Sequence, residues 1–167
     1  SQTAALETLE REHHGFAPIV AAAMDASGEL TGVLGPVAEF LQLPAERASS
    51  VESALNSLLQ ALVVRDPDAR QRFREWFAAQ ENLHGTVALL PQDALPRLEA
   101  LLDVIEFVGE PAAEPVLIGR RERLRERIAA AERAEEERAR RAEARTQAAE
   151  AVAAAEQALR ELKSRVD

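Results

Sequence analysis

The sequence contains no cysteine, and this absence excludes several kinds of protein. A chain without thiols has no disulfide framework, no thiolate metal site and no cysteine nucleophile. No apolar run approaches the roughly 18–20 residues of a membrane span. Residues 1–14 also lack the basic n-region and apolar h-region of a signal peptide. We therefore expect a cytoplasmic protein with no membrane partner.

Lysine is nearly absent, and the charge of the chain is unevenly distributed. Lys163 is the single lysine, and this bias towards arginine, together with the abundant alanine, favours a bacterial gene rich in GC. The net charge of −9 divides into −11 for residues 1–114, +3 for residues 115–128 and −1 for residues 129–167. The large acidic part would repel phosphate at long range, which argues against a general nucleic-acid binder.

Motifs for catalysis or cofactor binding are missing as well. The stretch Gly32-Val-Leu-Gly35 has neither the G-x-G-x-x-G nor the Gly-Lys-Ser/Thr pattern of a phosphate-binding loop. His13 and His14 would point about 100° apart on a helix and cannot hold one metal together. The serines around Ser49 lack a G-x-S-x-G elbow. We predict no enzyme activity, no cofactor and no metal site.

What the sequence does contain is an alternation of apolar segments and amphipathic runs. Ser49-Ser-Val-Glu52 has the capping-box pattern that opens a helix, and Asp66-Pro67 has the N-cap and first-turn residues of another. A further short helix is predicted over residues 95–102. Strands are predicted over residues 33–43, interrupted near Gly35-Pro36, and over 61–64, 86–90 and 104–108. The predicted fold class is α/β (α+β), a small mixed sheet with packed helices.

The last third of the chain has a different composition, dominated by Ala, Glu and Arg. From about Pro115 it predicts a helix about 75 Å long, of the coiled-coil type. The predicted organisation is an incoming helix over 1–14, a globular domain over 15–114 and an outgoing coiled-coil helix over 115–167. Coiled-coil packing is expected between the two helices, through Leu6, Leu9, Leu124 and Ile128.

An arginine cluster lies where the globular part meets this helix. The segment Arg120-Arg-Glu-Arg-Leu-Arg-Glu-Arg127 has two interpretations. It is a solvated coiled-coil face in which Glu122 and Glu126 pair with arginines, or it is a contact for phosphate groups. The candidates for DNA contact are Arg120, Arg121, Arg123, Arg125 and Arg127.

Several segments together resemble the hinge domain of structural-maintenance-of-chromosomes (SMC) proteins. They are Leu6 to Phe16, Gly32-Val-Leu-Gly35-Pro-Val-Ala-Glu39-Phe-Leu41, Val51 to Leu55, Leu59 to Val64, Ala69 to Phe77 and Thr86 to Pro91. Their order and spacing match the first half of such a hinge, followed by the returning coiled-coil arm. The segment 103–119 is too short for the family's second half, which is therefore shortened or missing.

The resemblance implies a non-enzymatic hinge that dimerises and joins the coiled-coil arms of an ATPase. Such ATPases act in chromosome condensation, chromosome segregation or DNA repair, associate with the nucleoid, and hydrolyse ATP in head domains absent from this chain. The expected partners are a second copy of the chain, a helix of the coiled-coil arm and DNA, bound weakly and without sequence preference. The dimer-interface candidates are Thr86, Val87, Leu89, Leu90, Val104, Ile105 and Phe107.

A second hypothesis comes from the sequence pattern. A small α/β domain followed by one helical arm also fits a ligand-binding sensory domain that signals through the arm. A hinge needs two antiparallel arms, whereas a sensor needs only one.

Overall fold

The structure is a computed structural model and describes Ala4 and residues 15–167 of the chain. The predicted incoming helix, with Leu6 and Leu9, lies outside the described residues. Helices make up most of the described residues, and strands make up few of them. The helices are α1 (Pro18–Asp25), α2 (Ala45–Leu59), α3 (Pro67–Ala78), α4 (Leu95–Val104) and α5 (Arg120–Val166). The strands are β1 (Val33–Pro36), β2 (Leu62–Val64) and β3 (Leu89–Pro91), and short 3₁₀ turns cover Val37–Phe40 and Gln92–Ala94.

The three strands form one mixed sheet, as the sequence predicted, in the order β1-β2-β3. β1 runs antiparallel to β2, with a register shift between Val33 and Gly35. β3 runs parallel to β2, and α3 makes the crossover between them. A parallel pair needs such a crossover, because the chain must return to the same end of the sheet. The predicted α/β class with a small mixed sheet is confirmed.

The core lies on both faces of the central strand β2, all of whose residues are buried. Val63 belongs to a cluster built with α2, α4 and the segment before α5, whereas Leu62 belongs to a cluster built with α1 and Phe73 of α3. Neighbouring strand residues point to opposite faces of a sheet, so a continuous apolar strand serves two cores. This explains why residues 61–64 carry no polar side chain.

One of the two predicted helix starts is confirmed. The side chain of Asp66 accepts a hydrogen bond from Ala69 N at 2.7 Å, as an N-cap does, and Pro67 occupies the first turn of α3. The capping box at Ser49 is wrong, because α2 begins at Ala45, directly after Pro44. Ser49 Oγ donates to Ala45 O at 3.1 Å within the helix, and Glu52 is turned towards a distant segment.

The predicted fourth strand, Val104–Val108, is also wrong. Val104 is the last residue of α4, and the residues after it belong to no strand. Ile105 has an extended backbone, but its carbonyl accepts from the Arg47 guanidinium at 2.9 Å, and Arg47 also donates to Leu102 O. The same guanidinium lies 5.1 Å from the centre of the Phe107 ring. β-branched and aromatic residues favour extended backbone, but a strand also requires a neighbouring strand.

The other boundaries move by a few residues. β3 begins at Leu89 rather than at Thr86 and includes Pro91. The long helix begins at Arg120 rather than near Pro115, because Leu117 and Ile118 are buried in the core of the body. Its 47 residues span about 70 Å. Leu124 and Ala131 are buried, whereas every side chain from Glu136 to the end of the chain is exposed.

Candidate functional site

The first candidate site is the outer edge of β3. β3 is an edge strand, because β2 covers one side of it and no strand among the described residues pairs with the other. Leu89 and Leu90 are half-buried, while Thr86 and Ala88 just before them are exposed. An apolar edge strand with unpaired backbone groups is a template for adding a strand of another chain. Four of the sequence-predicted interface residues, Thr86, Val87, Leu89 and Leu90, therefore lie at one edge.

A groove of about 630 Å³ runs beside this edge. Its walls come from α1, α3, and the segment that leads into β3. The lining side chains are mainly apolar, with two arginines on the α3 side. They include Ile19, Phe73, Phe77, Val87, Arg70 and Arg74. The groove is open to solvent and offers apolar surface next to a strand edge that no strand among the described residues pairs.

A second apolar patch lies at the end of α4. Leu101 is 55% exposed, Val104 78% and Val108 93%, and several exposed aliphatic side chains near one another are a feature of interaction surfaces. The sequence-predicted interface residues are divided here. Val104 is on this patch, whereas Ile105 and Phe107 are half-buried against the core.

The arginine cluster is divided into two groups by what its side chains contact. Arg120 is buried, with its guanidinium 5.6 Å from the centre of the Phe16 ring. Arg123 donates to the carbonyls of Ile118 at 2.9 Å, Pro115 at 3.0 Å and Val116 at 3.1 Å. These two arginines are engaged within the protein. The other three, Arg121, Arg125 and Arg127, have exposed side chains.

Arg121 and Arg125 are one helical turn apart. They line a cleft of about 650 Å³ between α5 and the 3₁₀ turn Val37–Phe40. Glu122 and Glu126 line the same cleft, and so does Glu39. The arrangement therefore offers two guanidinium groups for a phosphate backbone, with carboxylates competing beside them. Such a site would bind a polyanion weakly.

The segment between α4 and α5 ends in a short strap, residues 115–118, which is held from both sides. Glu52 of α2 is buried, and its carboxylate accepts from the amides of Val116 at 2.8 Å and Leu117 at 3.0 Å. It also accepts from Ile118 N at 3.3 Å. The strap's amides thus donate to Glu52, while its carbonyls accept from Arg123.

The incoming chain meets the outgoing chain at this strap. A Cβ atom built at Gly15 would lie 2.9 Å from Val116 Cγ1 and 3.2 Å from Leu117 Cδ2, so the backbone of Gly15 lies directly against these two side chains of the strap. Phe16 packs against the apolar clusters and beneath Arg120. The chain therefore enters and leaves the globular body at one place.

Sequence reasoning missed the role of Glu52. The pattern Ser-x-x-Glu fitted a capping box, and nothing local distinguishes that role from a long-range one. One signal was available: Glu52 lies next to Val51 on the buried face of the helix, where a carboxylate needs donors.

The family model for the flexible hinge domain of SMC proteins matches residues 30–119, which is more than half of the chain. The chain belongs to the SMC hinge family. The match extends beyond Pro91, the last residue of the segments that carry the sequence resemblance, and ends one residue before α5 of this hinge. No curated protein matches the chain.

A solved structure is also similar to this hinge. It is an asymmetric dimer of the SMC hinge domain of Geobacillus stearothermophilus, with 25% sequence identity and a TM-score of 0.47. The similarity covers 64% of this chain and 44% of that chain. This hinge thus spans less than half the length of that chain.

Family membership confirms the expectation that the chain is not an enzyme. SMC hinges are non-catalytic dimerisation domains, and the ATPase activity of SMC proteins belongs to their head domains.

None of the helices in the described part of the chain has both the length and the apolar character needed to cross a bilayer. The family also replaces the second hypothesis, a ligand-binding sensory domain.

Proposed function

We propose that this hinge forms a homodimer and joins the coiled-coil arms of an SMC-type ATPase that organises chromosomes or repairs DNA. In that role it acts in a bacterial cytoplasm, in association with the nucleoid. The family supplies the expectation of dimerisation, and the exposed apolar edge of β3 is the observation that carries it for this chain. The junction supports the second part, since the chain enters and leaves the body at one place.

The dimer interface we propose begins at the β3 edge. A second copy adding a strand there would pair the free backbone groups and cover the groove between β3 and α3. The exposed patch of Leu101, Val104 and Val108 is a second apolar surface that a partner would cover. The proposed interface retains five of the residues predicted from the sequence: Thr86, Val87, Leu89, Leu90 and Val104. Ile105 and Phe107 are half-buried against the core and are not part of the interface that we propose.

Weak DNA contact at the junction is a further part of the proposal. The positive charge for this contact comes from the exposed side chains of Arg121, Arg125 and Arg127. The net negative charge of the body lowers the affinity for DNA. Three neutralised phosphates would give binding on the order of 10⁻⁵ M at physiological salt, with no sequence preference.

Light scattering behind a size-exclusion column tests the dimer at micromolar concentration. We expect twice the chain mass for the unaltered protein. Replacing Thr86 and Ala88 by lysine should give the monomer mass, because two charges directly before the edge strand β3 oppose the addition of a strand there. The matched control is Ala54→Lys, an exposed alanine on α2. A monomer mass for the unaltered protein, or a dimer that tolerates both edge lysines, would contradict the proposed interface.

A further inference from the structure

We propose that Glu52 and Arg123 lock the strap 115–118 and thereby fix the direction in which α5 leaves the hinge. The lock is a property of one chain, so it holds whether or not the hinge dimerises. It extends the proposed function, because a hinge that joins arms must also orient them.

The carboxylate side of the lock is a buried site built for consecutive amides. Glu52 is 9% exposed, and its two oxygens accept from three consecutive backbone N–H groups at 2.8 to 3.3 Å. A charged acceptor makes stronger hydrogen bonds than a neutral one. Loss of the charge would leave strap amides with weaker partners in a place where water cannot replace them. Glu52 therefore ties the strap to α2 of the body.

The guanidinium side of the lock ties the same strap to the arm. Arg123 is in the first turn of α5 and donates to the carbonyls of Pro115, Val116 and Ile118. The planar fork of an arginine reaches several acceptors at once, which a lysine ammonium does with less geometric definition. Because Glu52 uses the amides and Arg123 uses the carbonyls, the two contacts do not compete. Together they hold a segment that belongs to no helix or strand by both its amides and its carbonyls.

The strap lies between the core of the body and the first residue of α5, so its position affects the direction of the arm. Leu117 and Ile118 are buried in the core, and α5 starts two residues later. From Glu136 onward α5 has no buried side chain. The direction of that distal arm is therefore set over the start of α5, by the lock together with the buried side chains of Leu124 and Ala131. Glu52 and Arg123 are positioning residues, and breaking either should let the arm swing while the body stays folded.

Distance measurement between two spin labels tests the lock on the full chain. Because the chain has no cysteine, two cysteines introduced at exposed positions label uniquely. Ala54 on α2 reports on the body and Arg133 on α5 reports on the arm. Mixing labelled chains with an excess of unlabelled chains removes distances between copies. We expect a single narrow distance distribution for the unaltered lock.

The variants are Glu52→Gln and Arg123→Ala, with Arg127→Ala as the matched control for loss of an exposed arginine from α5. We expect the distribution to become at least about twofold broader in both variants and to stay narrow in the control. Arg123→Lys should keep the distribution narrower than Arg123→Ala does, since an ammonium keeps the charge and its donors but lacks the planar fork of the guanidinium. Far-UV circular dichroism should show unchanged helix content, which separates a swinging arm from an unfolded one.

Each result decides the proposal. If Glu52→Gln fails to fold, Arg123→Ala decides alone, because its side chain lies at the surface of the junction. A narrow distribution in either folded variant overturns that half of the lock. A broad distribution in the unaltered protein overturns the whole.

Discussion

At the scale of single residues, Gly32 shows how the sheet depends on one backbone conformation. Its φ is +89°, and a Cβ atom built there would lie 2.7 Å from the Cβ of buried Ala69. Its carbonyl accepts from Arg65 N at 2.8 Å, just beyond β2. Glycine is needed here both for the backbone angle and for the space, since α3 packs directly against it.

Gly32→Ala should therefore lower the free energy of unfolding by about 2 kcal/mol, from the strained φ and the contact with Ala69. Urea denaturation followed by circular dichroism measures the change. The matched control is Gly28→Ala, where a Cβ meets nothing within 4 Å. That variant should be neutral or stabilise by up to about 1 kcal/mol, because alanine restricts the unfolded chain. Equal losses in the two variants would contradict this explanation.

At the scale of elements, α5 combines a packed start with an unpartnered remainder. Leu124 and Ala131 are buried, whereas Val152, Leu159 and Leu162 are each more than half exposed. Exposed ion pairs four residues apart, such as that between Arg141 and Glu137 at 3.1 Å, add little to stability. An alanine-rich helix of this kind gains most of its stability from packing on a partner.

Ending the chain after Arg138 should therefore leave the melting temperature of the body within about 2 °C of the full-length value. The deleted residues make no contact with the body that buries a side chain. Thermal melting followed by tryptophan fluorescence measures this, since Trp76 lies in α3. Ending the chain after Glu122 instead removes Leu124 and Ala131 and should lower the melting temperature clearly. A large loss with the shorter deletion would mean that the distal arm stabilises the body.

At the scale of the whole molecule, two features limit how strongly the junction can attract a polyanion: the negative charge of the body and the use of arginines to hold the arm. The globular part carries −11, and the segment that follows carries +3. Two of the five arginines are engaged in holding the arm, which leaves three for an external anion. The hinge should therefore contact DNA locally and weakly, with the arm junction facing the phosphates.

Binding to a fluorescent duplex, measured by anisotropy, should weaken steeply with salt, with a slope of log affinity on log salt near −3 for about three phosphates. Replacing Arg121 and Arg125 by glutamate should abolish binding, because both exposed charges line one cleft. Substitution of Arg120 or Arg123 would disturb the junction and gives no clean test. The control replaces Arg138 and Arg145, which are exposed farther along α5, by glutamate. Tight binding in 0.2 M salt, or equal loss in the control, would contradict the placement of the contact.

The sequence by itself determined those features that depend on local chemistry. Asp66-Pro67 starts α3 because a side-chain acceptor and a fixed φ act within one helical turn. The run Leu62-Val-Val is a central strand because an uninterrupted apolar strand needs two covered faces. The composition of residues 120–166 determined a long helix, and the order of several such segments indicated the SMC hinge family before the structure was known.

Tertiary structure alone decided the features that depend on distant partners. Residues 104–108 have strand-forming side chains, but no strand lies beside them. Arg47 instead donates to the Ile105 carbonyl and lies over the Phe107 ring. Glu52 has the spacing of a capping box, but its side chain is buried and needs hydrogen-bond donors. It accepts from three amides more than sixty residues away along the chain. Arg120 and Arg123 belong to a charged cluster in the sequence and to the packed junction in the fold. Spacing along a chain predicts what a residue does within its own turn, whereas burial assigns partners that only the folded chain brings near.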